Sequence, residues 1–219
     1  MPYKLNDSQI REMVTQPETG PGYQYVEATM NDRSILKGVV VNAEVFIPEN
    51  KIGKVIGVRH LTYSAILNEA ERPGYILNLE IIQKKYLELG ENKHFSKSGK
   101  PAVESPVLYT SKNQYFKRFS PYRNDRRVLS DGRLLPGTYA TTAEDAANVK
   151  TGIEATLRYA LPSDDPAIHV FQIFPPEKIS MRMGIVEPAN GKPGGGVEVL
   201  FDNGCPRDTV KGKEVIPAT

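Results

Sequence analysis

Three consecutive glycines, Gly194, Gly195 and Gly196, run directly into the apolar segment Val197-Glu198-Val199-Leu200-Phe201. A backbone without Cβ atoms reaches conformations and close approaches closed to other residues. Here it opens a run of strand-forming residues, not a helix. That order excludes two nucleotide-binding architectures. A P-loop needs Lys and Ser or Thr after its last glycine and then a helix, and the dinucleotide fingerprint must also open a helix after a strand. The charge in the strand is left to explain. Val197, Val199 and Phe201 share one face, Glu198 and Leu200 the other. Glu198 either points to solvent beside a hairpin or sits on a partly apolar face, where a carboxylate needs a partner or a task.

The rest of the chain is also divided into short segments. Residues 7–14 predict a helix capped by Asp7 or Ser8, with Ile10, Met13 and Val14 on one face. Residues 15–23 (TQPETGPGY) form a breaker-rich turn. Residues 25–30 and 36–47 read as strands, the second rich in β-branched residues and stopped by Pro48, and residues 54–58 as another. Residues 64–70 are ambiguous, and residues 76–89 begin strand-like and turn helical before Gly90. A polar loop over residues 91–106 suggests a boundary, with an N-terminal α+β region over 1–110 and a second unit over 111–219. There, strands are expected at 138–142, 168–174, 183–186 and 197–201, a helix over 143–157 and a turn over 162–166. Many short strands with few helices predict an α+β class.

Composition enters as a set of exclusions. A net charge of +2 is too small to argue for nucleic acid. Cys205 is the single cysteine, so neither an intramolecular disulfide nor a cysteine-built metal site can form, and His60, His94 and His169 are too far apart to suggest metal ligation. The start, MPYKLNDSQIREM, lacks the apolar core of a cleavable signal, and no apolar run has membrane-spanning length. No metal, nucleic-acid or membrane partner is expected.

The run GIVEPANGKPGGGVE, from Gly184 to Glu198, resembles the late segment of the tuberculosis necrotizing toxin family of NAD-consuming domains, G-x-[IV]-x-P-x-x-G-x-P-G-G-G-x-Q before a strand. YFKRF (115–119), LPGTYATT (135–142) and RYALP (158–162) resemble its earlier segments in order, so the likeness covers roughly residues 115–216. The resemblance implies an ADP-ribosyltransferase-like fold: two small, mostly antiparallel sheets around a cleft for NAD; residues 1–110, which it does not cover, are expected to form a mixed α/β N-terminal region. It implies NAD as substrate, no cofactor, and cleavage to nicotinamide and ADP-ribose by a toxin or effector. Such a chain would be cytoplasmic, or exported by a dedicated secretion system to act in a target-cell cytosol, with a cognate inhibitor protein as a partner. Arg118 falls on the family's NAD-binding arginine. Glu198 falls on its catalytic glutamine, a departure toward the glutamate of the wider transferase group. Gly196 stands where arginine-modifying members of that group carry a second glutamate.

Those residue types suit the chemistry. Breaking the nicotinamide–ribose bond develops an oxocarbenium-like sugar, which a carboxylate such as Glu198 stabilises more in the transition state than before it. Nicotinamide leaves neutral, so no general acid is required. Arg118 would hold the pyrophosphate through its planar fork, unless it is a surface arginine in a basic segment. Gly194, Gly195 and Gly196 would let the main chain approach the dinucleotide, or else form a tight hairpin. Tyr139 and Thr141 would line the cleft or serve packing and strand propensity, and His169 would line it or be a structural histidine. Two rival functions remain open: mono-ADP-ribosyl transfer from the same cleft, and a non-catalytic β-rich interaction module.

Overall fold

The computed structural model describes residues 2–48, 55–60 and 100–219. The expectations for residues 64–70 and 76–89, and His94, lie outside the described residues. The class is α+β, with two antiparallel sheets and few helices.

The first sheet holds β1 (Tyr3–Lys4), β2 (Tyr23–Met30), β3 (Ile35–Val41), β4 (Val45–Pro48) and β5 (Val55–His60) in the order β1-β4-β3-β2-β5. One face packs on α1 (Asp7–Thr15), burying Ile10 and Met13 against Val26, Ala28, Val40 and Phe46. The opposite face carries Tyr23, Tyr25, Val39 and Val41, which pack with Tyr122 of the second half. Both faces of β2 and β3 are therefore covered, so their apolar residues run consecutively instead of alternating.

The second sheet holds β6 (Leu108–Tyr109), β7 (Phe116–Ser120), β8 (Thr138–Thr142), β9 (His169–Ile173), β10 (Ser180–Ile185), β11 (Val197–Phe201) and β12 (Val210–Val215). Its order is β12-β9-β7-β8-β11-β10-β6. Phe116, Ile173, Val199 and Phe201 fill one side, where the Phe116 and Phe201 rings meet edge to face at 5.3 Å. Two short helices, α2 (Ala143–Ala146) and α3 (Gly152–Arg158), lie on the chain between β8 and β9.

Three expectations are corrected. The first helix is capped by Asn6, whose Oδ1 accepts from Ser8 and Gln9 N–H while Gln9 returns a bond, a reciprocal capping box. Residues 36–47 are not one strand: Asn42 and Ala43 both take positive φ, 51° and 52°, and fold the run into the β3–β4 hairpin. The helix expected over 143–157 is two, because Thr151 starts a second capping box with Glu154.

The two sheets are joined by buried polar side chains. Arg127, 2 % exposed, donates to the Val14 and Gln16 carbonyls at the end of α1, to the Pro136 carbonyl and to Thr138 Oγ1. It thus satisfies acceptors that a helix C-terminus leaves open. Asn42 accepts from Arg126 N–H at 2.8 Å and donates to the Asn124 carbonyl at 3.3 Å. Among the described residues no helix is long and apolar enough to cross a membrane.

Candidate functional site

The site starts where the second sheet splits. β7 and β8 pair only at Phe116 with Thr142 and Lys117 with Thr141. Beyond that point Arg118 fills the opening, and its Nη1 donates to the Tyr139 carbonyl at 2.7 Å. On the other side β8 pairs with β11 through Ala140–Val199 and Tyr139–Leu200. That register puts Tyr139, Thr141, Glu198 and Leu200 on one face.

Arg118 is 4 % exposed and meets two carboxylates. Glu18 takes Nη1 at 2.9 Å and Nη2 at 2.7 Å, and Asp125 takes Nε at 2.9 Å and Nη2 at 3.4 Å. With the Tyr139 carbonyl, all five guanidinium N–H donors are used. In this arrangement none is left for a phosphate. Burial opposes charge on Arg118, but Asp125 and Glu18 outweigh it and strengthen the protonated form. Burial also pushes the Asp125 carboxyl upward, and the Arg118 charge and hydrogen bonds overturn that, leaving it below its ordinary value. Glu18 comes from the N-terminal half and also accepts from Tyr139 N–H at 2.9 Å.

Glu198 is 4 % exposed, which decides between the two readings left open for it: it is not a solvated strand residue. Among the described residues its hydrogen-bond donor is the Ala102 N–H, at 2.6 Å from Oε1. Burial raises its carboxyl to about 7, the Ala102 bond partly opposes that, and Glu187 adds to it. Ala102 lies on a short strap, residues 100–105, that crosses β10. The strap passes so close to Gly184 that a Cβ there would overlap the Ala102 nitrogen.

Two hollows meet at Glu198. One is bordered by Pro21, Arg118, Phe119, Thr141, Leu161 and Glu198. The other is bordered by Tyr23, Tyr25, Pro101, Val103, Glu187 and Glu198. Pro21, Tyr139 and Tyr159 belong to both. A third hollow continues past Arg118 toward Asn42, Tyr122 and Ser163. Together they form a trench between the two sheets, a usual place for a ligand.

Arg118, Glu198, Tyr139 and Thr141 are therefore brought together, and the remaining candidates are not. The triglycine borders none of the three hollows. Its N–H groups are spent on backbone: Gly194 on Leu157, Gly195 on Val186 and Gly196 on Arg158. Gly194 and Gly195 take φ of 64° and 90°, and a Cβ on Gly196 would sit 2.7 Å from the Tyr159 ring. These glycines let the β10–β11 connection press onto the end of α3, a packing role of the kind the tight-hairpin alternative describes. His169 lies on β9, paired with Ser120 and Val215, and borders none of the hollows either. Burial, then Lys213 and Arg123, lower its pKa.

Two contributors escaped sequence reasoning. Tyr159 walls both hollows, stacks on Phe119 at 5.3 Å and donates to Asp145 Oδ2 at 3.0 Å. Asp145 also takes the Arg158 guanidinium and Thr141 Oγ1. Its signal was the RYALP segment, in which Tyr159 follows Arg158. The loop carrying Glu18 and Pro21 read only as a turn, and nothing in it announced a wall of the site.

No family model, no curated protein and no solved structure matches this chain.

Proposed function

We propose that the chain cleaves the bond between nicotinamide and ribose in NAD, within an ADP-ribosyltransferase-like arrangement of the second sheet. One observation carries this reading: a buried carboxylate, Glu198, stands where two hollows meet in a trench that Arg118 also borders. An elongated dinucleotide suits a row of connected hollows, and a developing positive charge suits an acidic group withdrawn from water.

The step balances without a metal or general acid. The C1′–N bond breaks with its electron pair going to the pyridinium nitrogen, and nicotinamide leaves neutral. Ionised Glu198 faces the cationic sugar, water adds at C1′, and its proton passes to solvent. Tyr139 and Tyr159 supply aromatic walls of the kind that hold planar rings. Arg118 meets phosphate only if a phosphate replaces Glu18 on its fork.

Hydrolysis is favoured over transfer to arginine because Gly196 offers no side chain to orient an acceptor. An enzyme that drains NAD harms its own cell unless restrained, which is consistent with a toxin or effector held by an inhibitor. The test is incubation of purified chain with NAD. Free nicotinamide and ADP-ribose support hydrolysis, a labelled protein supports transfer, and unchanged NAD with wild type and Glu198→Gln alike supports the interaction module.

A further inference from the structure

We propose that the N-terminal half holds this site shut: Glu18 fills the arginine fork that would take the substrate's phosphates, and the Ala102 N–H engages the carboxylate that would face its ribose. The inference deepens the reading above and rests on it for the identity of the ligand.

Both candidate residues belong to the second sheet, and both are engaged by groups that precede that sheet in the chain. Glu18 meets Arg118 through two parallel bonds, 2.9 and 2.7 Å, the geometry a phosphate would use. Asp125 differs: it lies seven residues from Arg118, beyond the end of β7, and holds the Nε side. Were Glu18 to withdraw, Asp125 and the Tyr139 carbonyl would keep the guanidinium oriented while one N–H on Nη1 and one on Nη2 turned free. Charge favours the same exchange. Arg118, Arg127, Glu18 and Asp125 influence one another electrostatically and sum to zero. Without Glu18 the group carries one net positive charge in a buried place, which is what a pyrophosphate needs.

The loop is fastened from the second half. Glu18 N–H donates to the Gly137 carbonyl at 3.0 Å, and Arg127 grips the Gln16 carbonyl at 2.7 Å. Its Pro21 then borders both hollows beside Glu198. The strap is fastened as well: Ile185 N–H donates to the Lys100 carbonyl at 2.9 Å and Arg182 Nη1 to the Ser105 carbonyl at 2.7 Å. Gly184 admits the strap because it has no Cβ.

The experiment uses the full chain and reads ligand binding apart from turnover. Calorimetric titration with ADP-ribose compares wild type and Glu18→Gln, which keeps the side-chain volume and removes its charge. At least tenfold tighter binding by the variant is expected; equal or weaker binding overturns the lock. Should Glu18→Gln lack a cooperative melt, Glu18→Asp, one methylene too short to keep both bonds, is titrated under the same criterion. Nicotinamide release from NAD is measured alongside. Tighter ADP-ribose binding with no nicotinamide release by any form leaves the lock standing and removes the cleavage reading. Full release by wild type with no gain in binding by the variants leaves the cleavage reading and removes the lock.

Discussion

Glu18 and Arg118, a hundred residues apart in sequence, form a bidentate pair in which both side chains are at most 5 % exposed. Such a pair ties the two sheets together, because its members come from different halves of the chain. Its energetic weight lies in what remains when one partner is lost, since a buried charge left alone is costly.

Arg118→Ala strands the carboxylates of Glu18 and Asp125 together in the interior. A loss of about 3–5 kcal/mol in unfolding free energy is expected, read from urea denaturation. Arg118→Lys recovers little of it, because a point charge with three donors cannot reproduce a planar fork with five. Recovery to near wild-type stability would show that charge alone matters at this position.

Acid should weaken the same cluster. The folded-state pKa of Asp125 lies below its ordinary 3.8, because Arg118 outweighs the effect of burial. The unfolded chain therefore takes up the proton first as pH falls. The stabilisation is complete above the ordinary value and is lost as pH drops below it, toward the folded value. Wild type should lose stability steeply below about pH 4, and Asp125→Asn should show a shallower slope there, read from thermal melts between pH 2 and 6.

How far the sequence foretold this depends on the range of each interaction. β8 and β11 were legible to the residue, because β-branched and aromatic runs bounded by glycine or proline declare themselves locally. The β3–β4 hairpin was not, since neither Asn42 nor Ala43 is a glycine, yet both take positive φ. The face of Glu198 was half legible: Leu200 two positions on marked it as apolar, but the covering Ala102 lies 96 residues away. The Glu18 pairing left no local trace. A turn sequence such as PETGPG states that the chain bends, not what the carboxylate inside it will meet.

The glycines of the β10–β11 connection should be intolerant for steric reasons. Gly194 has φ of 64°, and a Cβ there would lie 2.6 Å from the Val186 carbonyl oxygen. Gly194→Ala is expected to cost about 1–3 kcal/mol through strain. Gly196→Ala should instead push the Tyr159 ring, 2.7 Å from the added carbon, toward the hollows it borders. For that variant, NAD turnover should fall further than the melting temperature predicts. Equal turnover per folded molecule would separate Tyr159 from the site.

Glu198 should show opposite effects on stability and activity. Burial raises its carboxyl from an ordinary 4.5 to about 7, so between those values the folded chain holds a proton that the unfolded chain has lost. Stability therefore falls as pH rises across that window, by about 3 kcal/mol at most. Glu198→Gln has no proton to lose. It should be more stable than wild type at pH 8 by up to that amount and no more stable at pH 5, measured by paired denaturation curves. Activity should run the other way, since the ionised carboxylate is the form that faces the cationic sugar. Nicotinamide release by wild type should rise about tenfold between pH 6 and 8, while Glu198→Ala releases none at either. Full turnover by Glu198→Ala would leave Glu198 as a buried acid without a catalytic task.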